Sequence, residues 1–370
     1  MHDHMSITKI LLRLALLFLL PVVSPAQNLF VANRGSPNVQ GSPNVVKFSS
    51  TSGVINTNGA VFANNATAGL GAPYGVAFDG SGNLYVANVF SNTITVFANN
   101  AGILNPNGTI FAGSSSGLYA PFGLAFDGSG NLYAANYLSS TIVEFTNSGG
   151  VLNSTGNVFT DPNLSSPTGL AFDYRGALYV ANSISSTIEV FTNRNGALNT
   201  NGTLFASSGL NTPYGLAFDV SNNLYVANFV GDTIRRYTYS GGALNAASGT
   251  NYISGLGNPA GIAFDGSGHL YVANNLDATI MKFSSTGSNL GQFASLGTKP
   301  TFLAFQPPLP EPLQLQQAGT NLILTWTSPL FTLQAGTTVT NFTSVPGAAS
   351  PYTNALTGSQ QFFRLQSNQQ

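Results

Sequence analysis

The feature that most constrains this chain is a segment that occurs five times at nearly constant spacing. PYGVAFDGSGNLYVANVFSNTITVF, from Pro73 to Phe97, recurs as PFGLAFDGSGNLYAANYLSSTIVEF from Pro121 and as PTGLAFDYRGALYVANSISSTIEVF from Pro167. It appears again as PYGLAFDVSNNLYVANFVGDTIRRY from Pro213 and as PAGIAFDGSGHLYVANNLDATIMKF from Pro259. The repeat aspartates Asp79, Asp127, Asp173, Asp219 and Asp265 stand 48 residues apart in the first step and 46 in each later one. A period of this size marks a unit that cannot bury its own apolar faces and must stack on its neighbours.

Each copy carries four strand signals. GVAFD, NLYVAN and TITVF alternate at period two, and a fourth run follows a turn of the form G-x-L-N-x-x-G, as in Gly102 to Phe111. Pro, Gly, Asn and Ser separate them, and no helical periodicity interrupts. Four antiparallel strands repeated about every 46 residues describe a β-propeller blade. A partial copy holding only a second strand onward opens at NLFVAN, Asn28 to Asn33, and one holding only a first strand ends the array at FLAF, Phe302 to Phe305. Pairing these two completes one further blade. The fold class expected is all-β: a six-bladed β-propeller of four-stranded antiparallel blades over residues 27–306, closed by its two ends. Closure is expected to leave no open sheet edges.

These residues resemble the NHL-repeat family, whose blades read P-x-G-V-A-V-D, then G-N-L-Y-V-A-D, then a loop and an R-I-x-x-F strand. The resemblance runs from Asn28 to about Phe305. This chain has Asn where the family has Asp after Val-Ala, and Thr where the family has Arg, so its blades carry less charge.

Outside the array, Lys9 and Arg13 followed by the apolar run Leu14 to Leu20, Pro21 and the small residues of Ser24-Pro25-Ala26 read as a secretory signal over residues 1–26, cleaved before Gln27. Seven apolar residues are too few to span a bilayer, so no transmembrane anchor is expected. PPLPEP, Pro307 to Pro312, reads as a stiff linker. Residues 313–370, with NLILTWTS, FTLQAG and QQFFRLQ, read as a small β-module that resembles the sandwich-like tails of secreted bacterial proteins, with Trp326 as a packing residue. Only 6% of the chain is charged, with 11 Lys and Arg against 12 Asp and Glu, which excludes a basic field for nucleic acid. There is no cysteine, hence no disulfide, thiolate metal site or Cys nucleophile.

The hairpin AFDGSGNLYVAN offers Asp79, Ser81 and Asn83 at calcium-loop spacing. Its sibling at Asp173 has Arg175 and Ala177 at the ligand positions, and the one at Asp219 replaces the glycine by Asn222. What the five copies share is a turn: an Asp to accept backbone N–H groups, and Gly or Asn for positive φ. His269 stands at the turn position held by Asn83, Asn131, Ala177 and Asn223, with no second histidine beside it, and reads as a turn residue. The array also resembles lactonase and gluconolactonase-like propellers, in which the residue between Pro and Gly of the first strand is commonly Asn or Asp. Here those positions are Tyr74, Phe122, Thr168, Tyr214, Ala260 and Thr301, so that cation site does not carry over. Glu144 and Glu189, in third strands, form no recurring acid pair and read as solvent-exposed. The strand-ending Asn33, Asn88, Asn136, Asn182, Asn228 and Asn274 read as caps of adjacent loops. No G-x-S-x-G elbow or phosphate loop occurs. No catalytic residue, cofactor or metal ligand is assigned.

What remains is a surface. Loops before the first strand and after the second share one propeller face, which places Tyr74, Phe122 and Tyr214 beside the tips that carry Phe90, Tyr137 and Phe229. Such residues either bind a partner or seal the channel mouth. The function expected is a secreted, monomeric binding scaffold for an unidentified protein or small ligand or glycan. The alternatives are a metal-dependent lactonase or lyase and a structural cell-surface component.

Overall fold

The computed structural model describes residues 27–35, 43–51, 54–100, 102–194 and 197–307, and strand segments between 314 and 367. The expected leader over 1–26, most of the expected linker over 307–312 and Trp326 lie outside the described residues.

A continuous apolar run such as Leu84-Tyr85-Val86-Ala87 calls for burial on both faces of the blade, and that is how these strands lie. In Leu84–Asn88 all five residues are buried, and so are all five in each of its four full-length siblings. Leu84 and Val86 face the preceding blade while Tyr85 and Ala87 face the following one. Six apolar cores result, one at each blade interface. Edge-to-face aromatic pairs run through them, such as Tyr85 with Phe111 at 5.5 Å and Tyr179 with Phe218 at 5.3 Å.

Six four-stranded antiparallel sheets form the propeller. Blade 1 consists of Leu29–Asn33, Asn44–Phe48 and Ala60–Asn64, and its innermost strand, Pro300–Phe305, comes from the far end of the array. Val31 pairs with Leu303 and Leu29 with Phe305. Blades 2 to 6 begin at Pro73, Pro121, Pro167, Pro213 and Pro259. The pairing of the two partial copies therefore holds. The expectation of no open edges does not, because the outermost strand of each blade has a partner on one side only. Ring closure joins blades to one another; it leaves every blade's outer edge uncovered. Two smaller departures are a helical turn at Asn65–Ala68 and two-residue ribbons such as Asn99–Asn100 with Ile103–Leu104, which lead into the outer strands.

The strands after residue 314 fall in a second compact unit. There Gln314–Ala318, Asn321–Thr325 and Tyr352–Ala355 form one three-stranded sheet, and Thr343–Ser344, Phe331–Gly336 and Phe362–Ser367 another. Leu324 and Leu333 are fully buried. No helix among the described residues is long and apolar enough to cross a membrane.

Candidate partner-binding face

Hairpin geometry decides the role of AFDGSGNLYVAN. Asp79 Oδ1 accepts from Ser81 N at 2.9 Å and Asn83 N at 2.8 Å, and its Oδ2 accepts from Asn83 Nδ2 at 2.7 Å. Asp173 makes the same two backbone bonds with Arg175 and Ala177 in place. The turn position has φ near +80° at Gly82 and +61° at Asn222. The carboxylate's lone pairs are thus spent on its own loop. His269 belongs to this turn as well, with Nδ1 3.0 Å from Asp265 Oδ2.

The strand-ending asparagines cap loops on the opposite face. Asn88, Asn136, Asn182, Asn228 and Asn274 each accept, through Oδ1, from a backbone N–H of the loop entering the same blade, as in Asn274 with Gly257 N at 2.8 Å. Asn33 instead donates to Thr298 Oγ1.

At the channel, the Pro-x-Gly strands approach so closely that a Cβ on Gly75, Gly123, Gly169 or Gly215 would overlap the backbone carbonyl of the neighbouring blade. Only glycine permits that contact. The preceding residue then points across a narrow mouth. Phe122 is 4% exposed, and rings from four blades converge on it: Tyr74 at 4.1 Å, Tyr137 at 5.3 Å, Tyr214 at 5.3 Å and Phe302 at 6.1 Å. Phe229 stacks on Tyr214 at 4.2 Å. Thr168 and Thr301, three blades apart, donate to carbonyls of the next blade, at 2.9 Å to Pro213 and 3.1 Å to Pro73. Burial, and after it the neighbouring Tyr137 and Tyr74, push the Tyr214 phenol up to about 12. Arg34 Nη1 donates to Tyr74 Oη at 2.9 Å.

The structure therefore brings five of the six residues singled out above into one aromatic cluster over the channel. Phe90 stands apart, 83% exposed, on the rim of a depression of about 580 Å³ lined also by Tyr74, Tyr119, Phe122, Tyr137 and Tyr214. A pattern not evident from composition surrounds this cluster. Two residues beyond each strand-ending Asn of blades 2 to 6, Phe90, Leu138, Ile184, Val230 and Leu276 are each more than half exposed. Five large apolar side chains thus form a crown on one face.

The glutamates are not solvent-exposed. Glu144 is half-buried and accepts from Tyr133 Oη at 2.5 Å, and Glu189 is 2% exposed. Both lie in third strands, whose faces are covered by adjacent blades, so Glu189 is removed from water and Glu144 only partly reaches it. Burial, followed by the charge of nearby Asp161, pushes the Glu189 carboxyl up.

No protein-family model matches the chain, and no curated protein matches it. Among solved structures it is similar to that of a nidogen/laminin complex, with a TM-score of 0.60 and 18% identity over 76% of this chain and 98% of that one. It is also similar to a protein of unknown function from Bacteroides caccae, with a TM-score of 0.51 and 14% identity over 76% and 99% of the two chains. A streptogramin B lyase aligns at a TM-score of 0.46 and 14% identity, over 68% of this chain and 76% of that one. At these identities the likeness to the first two is one of fold alone, and it is the six-bladed propeller.

Proposed function

We propose that the chain is a secreted, monomeric NHL-type propeller that acts as a binding scaffold, with the crowned mouth face as its recognition surface and a protein as its partner. The observation that carries this reading is the crown. A monomeric surface rarely repeats large exposed apolar residues at one loop position, and rigid blades hold these five in a ring. A neighbour of the same fold whose structure is that of a nidogen/laminin complex supports a binding role. All but Ala260 of the residues that stand where gluconolactonase-like propellers hold a cation form the aromatic plug and its threonine bonds, which disfavours the enzyme reading. Export with cleavage after Ala26 agrees with Gln27 being tied into the propeller, where its Oε1 accepts from Gly266 N at 2.9 Å. In this reading residues 307–312 link the propeller to a β-module over 313–370.

The test is a triple variant, Phe90→Ser, Leu138→Ser and Ile184→Ser, whose sites are exposed and whose melting temperature should match the wild type. Cross-linking capture from the culture medium and cell surface should fall at least tenfold. Equal capture by folded variant and wild type would remove the crown from the binding role. An exported product whose mass does not begin at Gln27 would refute the cleavage assignment.

A further inference from the structure

The third strands place one central residue at the same register point of every blade. Val46, Thr95, Val143, Glu189, Arg235 and Met281 each pair with a second-strand Val or Ala. In blade 5 this residue occupies a small chamber. A side chain on Gly209, in the loop entering the blade, or on Gly249, ahead of its outer strand, would fall on the Arg235 guanidinium. Arg235 Nη2 donates to the Gly249 carbonyl at 2.7 Å and Nη1 to Asn251 Oδ1 at 3.3 Å. In blade 3 the matching chamber is bounded by Val143, Gly156 and the carbonyl oxygen of Ser116. In blade 5 this space holds a guanidinium beside a backbone carbonyl, and in blade 3 a backbone carbonyl bounds it as well.

In blade 4 the contents of that space change sign. Its central residue is Glu189, and the loop entering the blade contributes Asp161. Asp161 Oδ2 accepts at 2.8 Å from the N–H of Gly202, the counterpart of Gly249, and its Oδ1 accepts at 2.8 Å from Asn163 N. The two carboxylates are 2% and 7% exposed, and Glu189 Oε2 has no hydrogen-bond partner among the described residues. Asp161 is the only acidic residue in any loop that joins an outer strand to the next inner strand, and Glu189 is the only acid at the central register point. Two departures from the repeat thus meet at one interface. Two buried carboxylates close enough to feel each other's charge are unfavourable unless a proton or a cation neutralises them.

We propose that this chamber between blades 3 and 4 binds calcium, held by Glu189 and Asp161, with backbone carbonyl oxygens and water completing its shell. No group of three His, Cys, Asp or Glu converges among the described residues. Calcium suits such a set, because it accepts carbonyl and water oxygens in irregular geometry, whereas magnesium demands a near-ideal octahedron. The ion would fasten blade 3 to blade 4, away from the Pro-x-Gly strands of the channel.

The test is thermal melting of the full chain in EDTA, in millimolar calcium and in millimolar magnesium, with equilibrium dialysis for stoichiometry. Calcium should raise the melting temperature saturably, magnesium should raise it less, and one calcium ion should bind per chain. Glu189→Gln and Asp161→Asn should each abolish the calcium-dependent rise and the bound ion. Glu189→Gln keeps the side chain's shape and removes the repulsion, so in EDTA it should melt at or above the wild type, which verifies that it folds. Absence of calcium binding by the wild type, or full binding by Glu189→Gln, would overturn the proposal. So would a wild-type stability that falls as pH rises through neutrality irrespective of calcium, since that would show the carboxylates sharing a proton.

Discussion

Ten non-glycine residues hold left-handed backbone at matching places in blades 2 to 6. Ala72, Ala120, Ser166, Thr212 and Asn258 precede the inner-strand prolines, and Asn92, Ser140, Ser186, Asp232 and Ala278 end the loops after the second strands, all with φ between 49° and 56°. Such a residue costs roughly 1–2 kcal/mol without a compensating contact. Four of the loop residues have one: Asn92 Oδ1, Ser140 Oγ, Ser186 Oγ and Asp232 Oδ1 accept from the backbone N–H of the strained residue in the next blade, at 2.6–3.1 Å. Ala278 has no side-chain acceptor to offer. Ala278→Gly should therefore raise stability by up to about 1 kcal/mol in urea unfolding, while Asn92→Gly should lower it, because the bond to Ala120 is lost. Tyr214 gives a second prediction. Its phenol is held at about 12, above the unfolded value of 10, so the native state keeps a proton that the unfolded chain releases first. That contribution is fully present below pH 10 and disappears as pH rises toward 12, a loss on the order of 2–3 kcal/mol. Tyr214→Phe should reduce the alkaline destabilisation between these limits by that amount, measured as the difference between the two proteins' unfolding free energies.

At the scale of strands, the outer edges are the weak elements. Val61, Ile110, Val158 and Leu204 lie 49–58% exposed on them, with neither Lys nor Pro to discourage pairing with another chain. Register shifts bulge the outer pairing in blades 1, 2, 4, 5 and 6, but blade 3 pairs Thr141 to Glu144 against Thr160 to Asn157 without a break. A flat edge is the better template for aggregation, so Val158→Lys should suppress light scattering on heating more than Leu204→Lys does. Neither change should alter the unfolding free energy by more than about 0.5 kcal/mol. Equal effects of the two would show that the bulge is irrelevant. These edges also show what was legible beforehand. Strand identity, hairpin chemistry and blade count followed from comparing five copies, because each copy corrects a misreading of another, as Arg175 and Asn222 did for the calcium-like spacing at Asp79. The open outer edges do not follow from the termini, because pairing the two partial copies closes the ring of blades and not the individual sheets. The Glu189–Asp161 pair was missed because its members occupy different repeats and meet only when blades stack; no periodicity within one repeat contains it.

For the whole molecule, the closing strand decides whether six blades act as one cooperative body. Pro300–Phe305 completes blade 1 through its pairing with Leu29–Asn33, so the first and last parts of the array must meet before either is stable. Loop closure over such a separation is the entropic step that a ring fold, unlike an open solenoid, cannot avoid. A cross-link at that seam should remove most of it. The chain has no cysteine of its own, so Val31→Cys with Leu303→Cys, opposite each other in the seam, would give a single bridge closing a loop of about 270 residues. The chain-entropy relation puts the gain at about 5.6 kcal/mol for a loop of this length, less any strain in the bridge. Comparing the oxidised with the reduced form of the same double variant cancels the loss of the buried Val and Leu side chains. The oxidised form should unfold at clearly higher denaturant with a smaller m-value, because its unfolded state stays more compact. If unfolding began at an interior interface and the termini stayed paired, oxidation would leave the midpoint unchanged, and the seam would no longer be the place where the ring opens.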